Sequence, residues 1–223
     1  MLEKYFNFTK VQDEYSVIDS FLEHTRIDEE ELNLLVQMTQ VLSSPSCKEL
    51  NSIHDRIFKI HTDSYRIFEN VAEQIIQADF NHQKQYDLFR LYQRIDNISE
   101  TLISTSKRMV ILHNIGGTMP DQIQQCCLQI VDNIVTIHCS FKEALSQYQN
   151  HKRQILDIIY KVIEISHSND HICASSIESL YIHANKKKLT MGDFRANENI
   201  IEHLRLLAKS VEGGATSLEW LLI

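Results

Sequence analysis

From Leu88 to Leu112 the chain places an apolar or small residue every three or four positions without a break: Leu88, Leu91, Ile95, Ile98, Leu102, Thr105, Met109 and Leu112. Steps of three and four keep side chains on one face of a helix of 3.6 residues per turn, so the stretch predicts a long amphipathic helix. Ile53, Ile57, Ile60, Ser64, Ile67, Val71 and Ile75 repeat the pattern just upstream. Between the two stripes lies only the short connection Asp79-Phe80-Asn81-His82, which makes a helical hairpin with facing apolar seams. The whole chain of 223 residues has 2 Pro and 5 Gly. A β-rich chain of this size needs many turn residues, so the expected class is all-α, an up-down helical bundle.

The same stepping predicts four further helices. Val11, Tyr15, Ile18 and Leu22, followed by Leu32, Leu35, Met38 and Leu42, mark the first. Within it, Asp28-Glu29-Glu30-Glu31 reads as a fresh helix start, with Asp28 as cap and acids where the helix dipole favours them, so a kink or a split is expected near Arg26. Ser44 and Pro45 open the next helix. Gly116-Gly117 closes the third and marks the join between two halves, 1–116 and 117–223, of a single domain. Thr118-Met119-Pro120-Asp121 has the form of a capping box. Behind it run Ile123, Cys127, Ile130, Ile134, Ile137, Phe141, Leu145 and Tyr148, then a fifth stripe of Ile155, Ile158, Val162, Ile165, Ile172 and Leu180. The last helix carries Ile200, Leu204, Leu207, Val211, Ala215, Leu218 and Leu222; Gly213-Gly214 inside it predicts close approach of another helix.

Charge and motif content narrow the function. With 22 Lys plus Arg against 30 Asp plus Glu, the formal charge is −8. That balance repels a phosphate backbone, and the short Lys186-Lys187-Lys188 run is a solvated helix end, so no nucleic-acid partner is expected. The start MLEKYFNFTK lacks the apolar run of a signal peptide, and nowhere do about 18 apolar residues follow one another, so a cytoplasmic location is expected. Cys47, Cys126, Cys127, Cys139 and Cys173 form no C-x-x-C pair and read as reduced, small apolar residues. His167 and His171 stand one turn apart beside Asp170, and Glu164 with His167 makes a single E-x-x-H. Neither has the further ligands that zinc or di-iron chemistry needs. No phosphate-cradling glycine loop and no nucleophile–base set occurs, which points away from an enzyme.

The two halves match in outline, each a long helix followed by a hairpin. His61-Thr62-Asp63 lines up with Ser168-Asn169-Asp170, and Asp96-Asn97-Ile98-Ser99-Glu100 follows on the next helix. On these residues the chain resembles the PhoU-like phosphate transport regulators, in particular the subgroup associated with Pit-type inorganic phosphate permeases. The resemblance implies six long helices in two pseudo-repeated three-helix units. It also implies a non-enzymatic regulator or adaptor that contacts a Pit-type permease, touches the membrane only through that partner, and leaves a homo-oligomer open. Members carry E-x-x-x-D and D-D-x-x-D motifs whose carboxylates form a surface cluster for metal ions. Here Asp63, Asp96 and Glu100 are the matching acids of the first half, the only half that leaves a family-type metal open. Lys59 and Ser166 replace the first Glu of the motif, and Arg205 and Lys209 replace the closing acidic pair. An ammonium or guanidinium about 4 Å from a carboxylate supplies the charge a metal would supply. Salt bridges of Asp170 with Arg205 or Lys209, and of Lys59 with Asp63 or Asp96, are therefore expected in place of ions, and no cofactor is. The alternative reading is a helical interaction scaffold with neither phosphate role nor metal.

Overall fold

A computed structural model describes residues 14–42, 47–149 and 152–222. Six helices account for nearly all of them: α1 Glu14–Val41, α2 Cys47–Gln77, α3 His82–Asn114, α4 Asp121–Ser146, α5 Lys152–Asn185 and α6 Met191–Leu222. Among the described residues there is no strand. The helices α1, α2 and α3 pack mutually, as do α4, α5 and α6. The two triads join where α3 lies along α6, the most extensive helix pair, and where α1 crosses onto α4. Val11, the expected start of the first stripe, and the proposed caps Ser44 and Pro45 lie outside the described residues.

Every residue of the α3 stripe is buried, and so is every residue of the α4 stripe up to Leu145. Burial of such a seam is what holds a helix of this length, since propensity alone supplies little. At the hairpin, the Asn81 side chain accepts from the Lys84 amide, satisfying one of the orphan donors of the α3 start. At the other end Gly116 takes φ 66°, the left-handed turn that glycine adopts freely, and its amide donates to the His113 carbonyl.

Four local expectations are corrected. First, α1 is one helix through Asp28, which caps nothing: its side chain is fully buried. Second, α4 starts at Asp121 with Pro120 as N-cap and no side-chain cap bond. Thr118 is instead held by α6, its amide donating to Asp193 Oδ1 at 3.1 Å and its carbonyl accepting from Asn197 at 2.9 Å. Third, the buried face of α5 is rotated from the predicted stripe. Ile159, Ser166, Asn169, Cys173 and Ser176 are buried there, whereas Ile158, Ile165 and Ile172 are only partly so. Small and polar residues let α5 pack closely, which a count of large aliphatics misses. Fourth, of the two α6 glycines only Gly214 has tight company, the ring of Phe141.

No described helix is long and apolar enough to cross a membrane.

Candidate functional site

One continuous heptad-like stripe runs along the inner face of α1: Val17, Phe21, His24, Asp28, Glu31, Leu35, Met38 and Leu42, stepping by four and three throughout and buried at every position. Three polar residues thus hold core positions. His24, Asp28 and Glu31 have zero exposure, and His138, on the α4 face that meets α1, joins them with zero exposure. Asp28 lies between the two imidazoles. Its Oδ1 faces His24 Nε2 at 3.9 Å, and its Oδ2 faces His138 Nε2 at 4.0 Å. Both gaps exceed a hydrogen bond.

The outer atoms of the group are better served. Tyr92 of α3 meets His24 Nδ1 through its hydroxyl at 3.0 Å, and its ring stacks between Phe21 and Phe68 with centroids 5.0 and 5.3 Å away. Ser99 donates to Glu31 Oε2 at 2.8 Å. From Ser99 the polar chain continues outward to His61 Nδ1 at 3.0 Å, and His61 Nε2 faces Glu100 at 3.6 Å on the surface. Lys142 of α4 bridges to Glu29 of α1 at 2.5 Å beside His138.

Electrostatics follow from burial. Removing charge from water disfavours the ionised form of any group lacking compensation. Burial, reinforced by Glu31 and then Asp96, pushes the Asp28 carboxyl well above its usual range. Burial pushes Glu31 up to about 8, the Ser99 hydrogen bond opposing it. Burial also lowers His24 and His138 to about 4. Asp96, half-buried, is raised by desolvation and by Glu100, with His61 opposing. All four interior groups are driven toward neutrality.

The expected acids of the first half are only partly assembled. Asp96 and Glu100 come together with His61, as their mutual influence shows. Asp63 does not join them. It lies two residues beyond His61 on α2, about 200° around the helix, is exposed, and has no hydrogen bond or ion pair among the described residues. The three-carboxylate set does not converge, and among the described residues no three such side chains form a group that could hold a metal ion. The expected Lys59 bridge is likewise absent: Lys59 is exposed and forms no ion pair among the described residues, where a solvent-screened pair with Asp63 would gain little.

In the second half the charges do pair. Lys209 Nζ lies 2.9 Å from Asp170 and 2.7 Å from Glu212. Ser166, standing where the family motif has Glu, donates to Glu212 at 2.6 Å. Burial opposes the Lys209 charge, yet the two carboxylates hold its ammonium above the usual range. Arg205 turns to Glu202 at 2.9 Å rather than to Asp170. An ammonium therefore occupies the point where these acids converge. The described cysteines are free thiols, Cys127 and Cys173 buried.

No protein-family model matches the chain, and no curated protein sequence matches it significantly. Solved structures do. A PhoU-like protein from Shewanella oneidensis MR-1 superposes with a TM-score of 0.80 at 15% identity, over 93% of this chain and 99% of that one. The chain has the PhoU-like fold. A PhoU-like phosphate regulatory protein from the same organism gives 0.79, at 15% identity and with the same coverage. PhoU from Pseudomonas aeruginosa gives 0.75 at 10% identity, over 92% of this chain and 94% of that one. Within the PhoU-like fold, the buried His24–Asp28–Glu31–His138 group was missed from sequence because Asp28 to Glu31 resemble a helix start. The signal was present: those residues keep the spacing of the α1 core stripe.

Proposed function

We propose that this protein is a non-enzymatic regulator of inorganic phosphate transport that acts by contact with a Pit-type phosphate permease. The observation that carries the reading is the PhoU-like fold along nearly the full chain, shared with a neighbour described as a phosphate regulatory protein. Fold likeness at this identity is an analogy for function, so the permease contact is the part to test. The negative net charge and the absence of a transmembrane helix among the described residues suit a partner-mediated position at the membrane.

A second reading, a helical scaffold without a phosphate role, draws support from the second half, where Lys209 and Arg205 stand in place of acids. Tagged protein retrieved from solubilised membranes of its own host separates the two. Retention of a Pit-type permease, with phosphate uptake altered when the gene is deleted, supports the regulator. Recovery without any phosphate permease and unchanged uptake would reject it.

A further inference from the structure

Along one face of α3, Tyr86, Arg90, Gln93, Arg94 and Asn97 line a cavity of about 410 Å³, a size in the range of small-ligand sites, roughly 300–1,000 Å³. Among the described residues its lining holds two guanidiniums, two carboxamides and a phenol, and no carboxylate. Arg90 is half-buried and Arg94 exposed, and neither side chain has an ion pair or a hydrogen bond among the described residues. The acids nearest in sequence are engaged elsewhere. Asp87, one turn before Arg90, accepts from Gln83 at 2.9 Å, and Glu212 of α6 is held by Lys209 and Ser166. Arg94 runs along α6 at Gly213, where a Cβ would stand 3.6 Å from its Cδ and 3.9 Å from its Nε. Asn97 is tied to α6 through Ser210 at 2.9 Å by one of the two N–H bonds its amide offers.

We propose that Arg90 and Arg94 bind the phosphoryl group of a small soluble anion in this cavity. Residues four apart on a helix have Cβ atoms about 5–6 Å from each other, so two guanidinium forks reach one tetrahedral anion from two sides. Each fork presents parallel N–H donors that match phosphate oxygens two at a time. Gln93 and Asn97 supply neutral donors beside them. The chain's overall charge of −8 works against long polyanions, so the cavity suits a compact one. Two sources share this chemistry. One is inorganic phosphate; the other is a nucleotide, whose base would stack on the exposed Tyr86 ring one helical turn from Arg90. The site stands apart from the permease contact, because binding is measured on the isolated protein.

The test is isothermal titration calorimetry of the full-length protein in low-salt, phosphate-free buffer, with inorganic phosphate and ATP as separate titrants. Saturable binding of at least one of them, near one equivalent per chain, is expected. R90Q and R94Q should each weaken it about tenfold, and the double variant should abolish it. R90K, which keeps the charge and loses the fork, should weaken it less than R90Q without restoring wild-type affinity. R66Q removes an exposed guanidinium from α2 that has no ion pair among the described residues, and should leave binding unchanged. Gly213→Glu sets a carboxylate beside Arg94 and should weaken binding with both arginines intact. ATP bound more tightly than phosphate, with the difference lost in Y86A, identifies a nucleotide; equal affinities identify the free ion. No saturable binding of either anion, binding as strong in the double arginine variant as in wild type, or an equal loss in R66Q would overturn the proposal.

Discussion

Asp28 in the α1–α3–α4 interior and Asp170 in the α5–α6 seam are both aspartates on the inward side of a long helix, yet they meet opposite surroundings. Asp170 keeps about a third of its side chain in solvent and pairs with Lys209. Among the described residues Asp28 has no solvent and no cation beside it, only two neutral imidazoles beyond hydrogen-bond range. The seam carries its counter-charge covalently, on a lysine stem long enough to reach two carboxylates from the edge. The interior cannot, because a buried ammonium would itself need desolvation, a penalty of several kcal/mol per ion. One region therefore carries its counter-charge within the chain, and the other meets burial by holding its carboxyls protonated.

The largest expected effect lies in the pH dependence of that interior. The His24 and His138 pKa values are depressed from 6.5 to about 4, so the unfolded chain binds more protons and stability rises with pH across that window. Glu31 is raised from 4.5 to about 8 and Asp28 is raised too, so the folded chain binds more protons and stability falls as pH rises above the unfolded values. Below about pH 6.5 the two trends oppose each other; between 6.5 and 8 only the acids act. The protein should lose about 2 kcal/mol per proton over that interval, read by urea unfolding at a series of pH values. E31Q should flatten the slope, whereas D170N should leave it unchanged. A slope equal in E31Q and wild type would remove the contrast between the regions.

Next in size is Tyr92→Phe, which keeps the ring between Phe21 and Phe68 and deletes only the hydroxyl facing His24. Leaving His24 Nδ1 unpaired should cost about 1–3 kcal/mol. Lys209→Met, which keeps the apolar stem, should cost only about 1 kcal/mol, because its partners are part-exposed and screened. The Lys209 effect should shrink in 1 M NaCl and the Tyr92 effect should not. Equal salt sensitivity of the two would mean that the interior group is wetter than its zero exposure implies.

How much was legible beforehand follows the same divide. Wherever a helix buries large aliphatics, as α3 does from Leu88 to Leu112, period alone located the buried face. The Lys209–Asp170 pair was readable too, because a cation in a carboxylate's seat has few other options. The α1 interior is obscured, since Asp28, Glu29, Glu30 and Glu31 together mimic the acidic first turn of a helix; their charge outweighs the stripe spacing that places Asp28 and Glu31 inward, while Glu29 reaches Lys142. The α5 face failed for a related reason. Ser166, Asn169 and Ser176 carry little hydrophobic signal, yet their smallness and their bonds make them good core residues, Asn169 accepting from Asn133 of α4 at 2.8 Å. The motif groups Asp63 with Asp96 and Glu100, but its angular position on α2 turns it to solvent.

The smallest predicted effects concern two adjacent glycines of α6. A Cβ on Gly213 would meet the Arg94 side chain at 3.6 Å, an ordinary contact with a flexible neighbour. Gly213→Ala should therefore gain most of the helix-propensity difference, about 0.5–1 kcal/mol. A Cβ on Gly214 would stand 3.0 Å from Phe141 Cζ and 3.2 Å from Cε1, and Phe141 is fully buried between α4 and α6. A ring with no free space behind it yields only by shifting the helix that carries it. Gly214→Ala should thus forfeit its propensity gain and fall below Gly213→Ala in thermal stability. Phe141 lies one turn beyond His138 on α4, so a helix displaced by the new methyl would also shift the imidazole facing Asp28. If Gly214→Ala alters the pH dependence of stability set by Glu31 while Gly213→Ala does not, the seam side and the interior side of α4 are mechanically one unit; an unchanged pH dependence in both would show that the two regions tolerate strain separately.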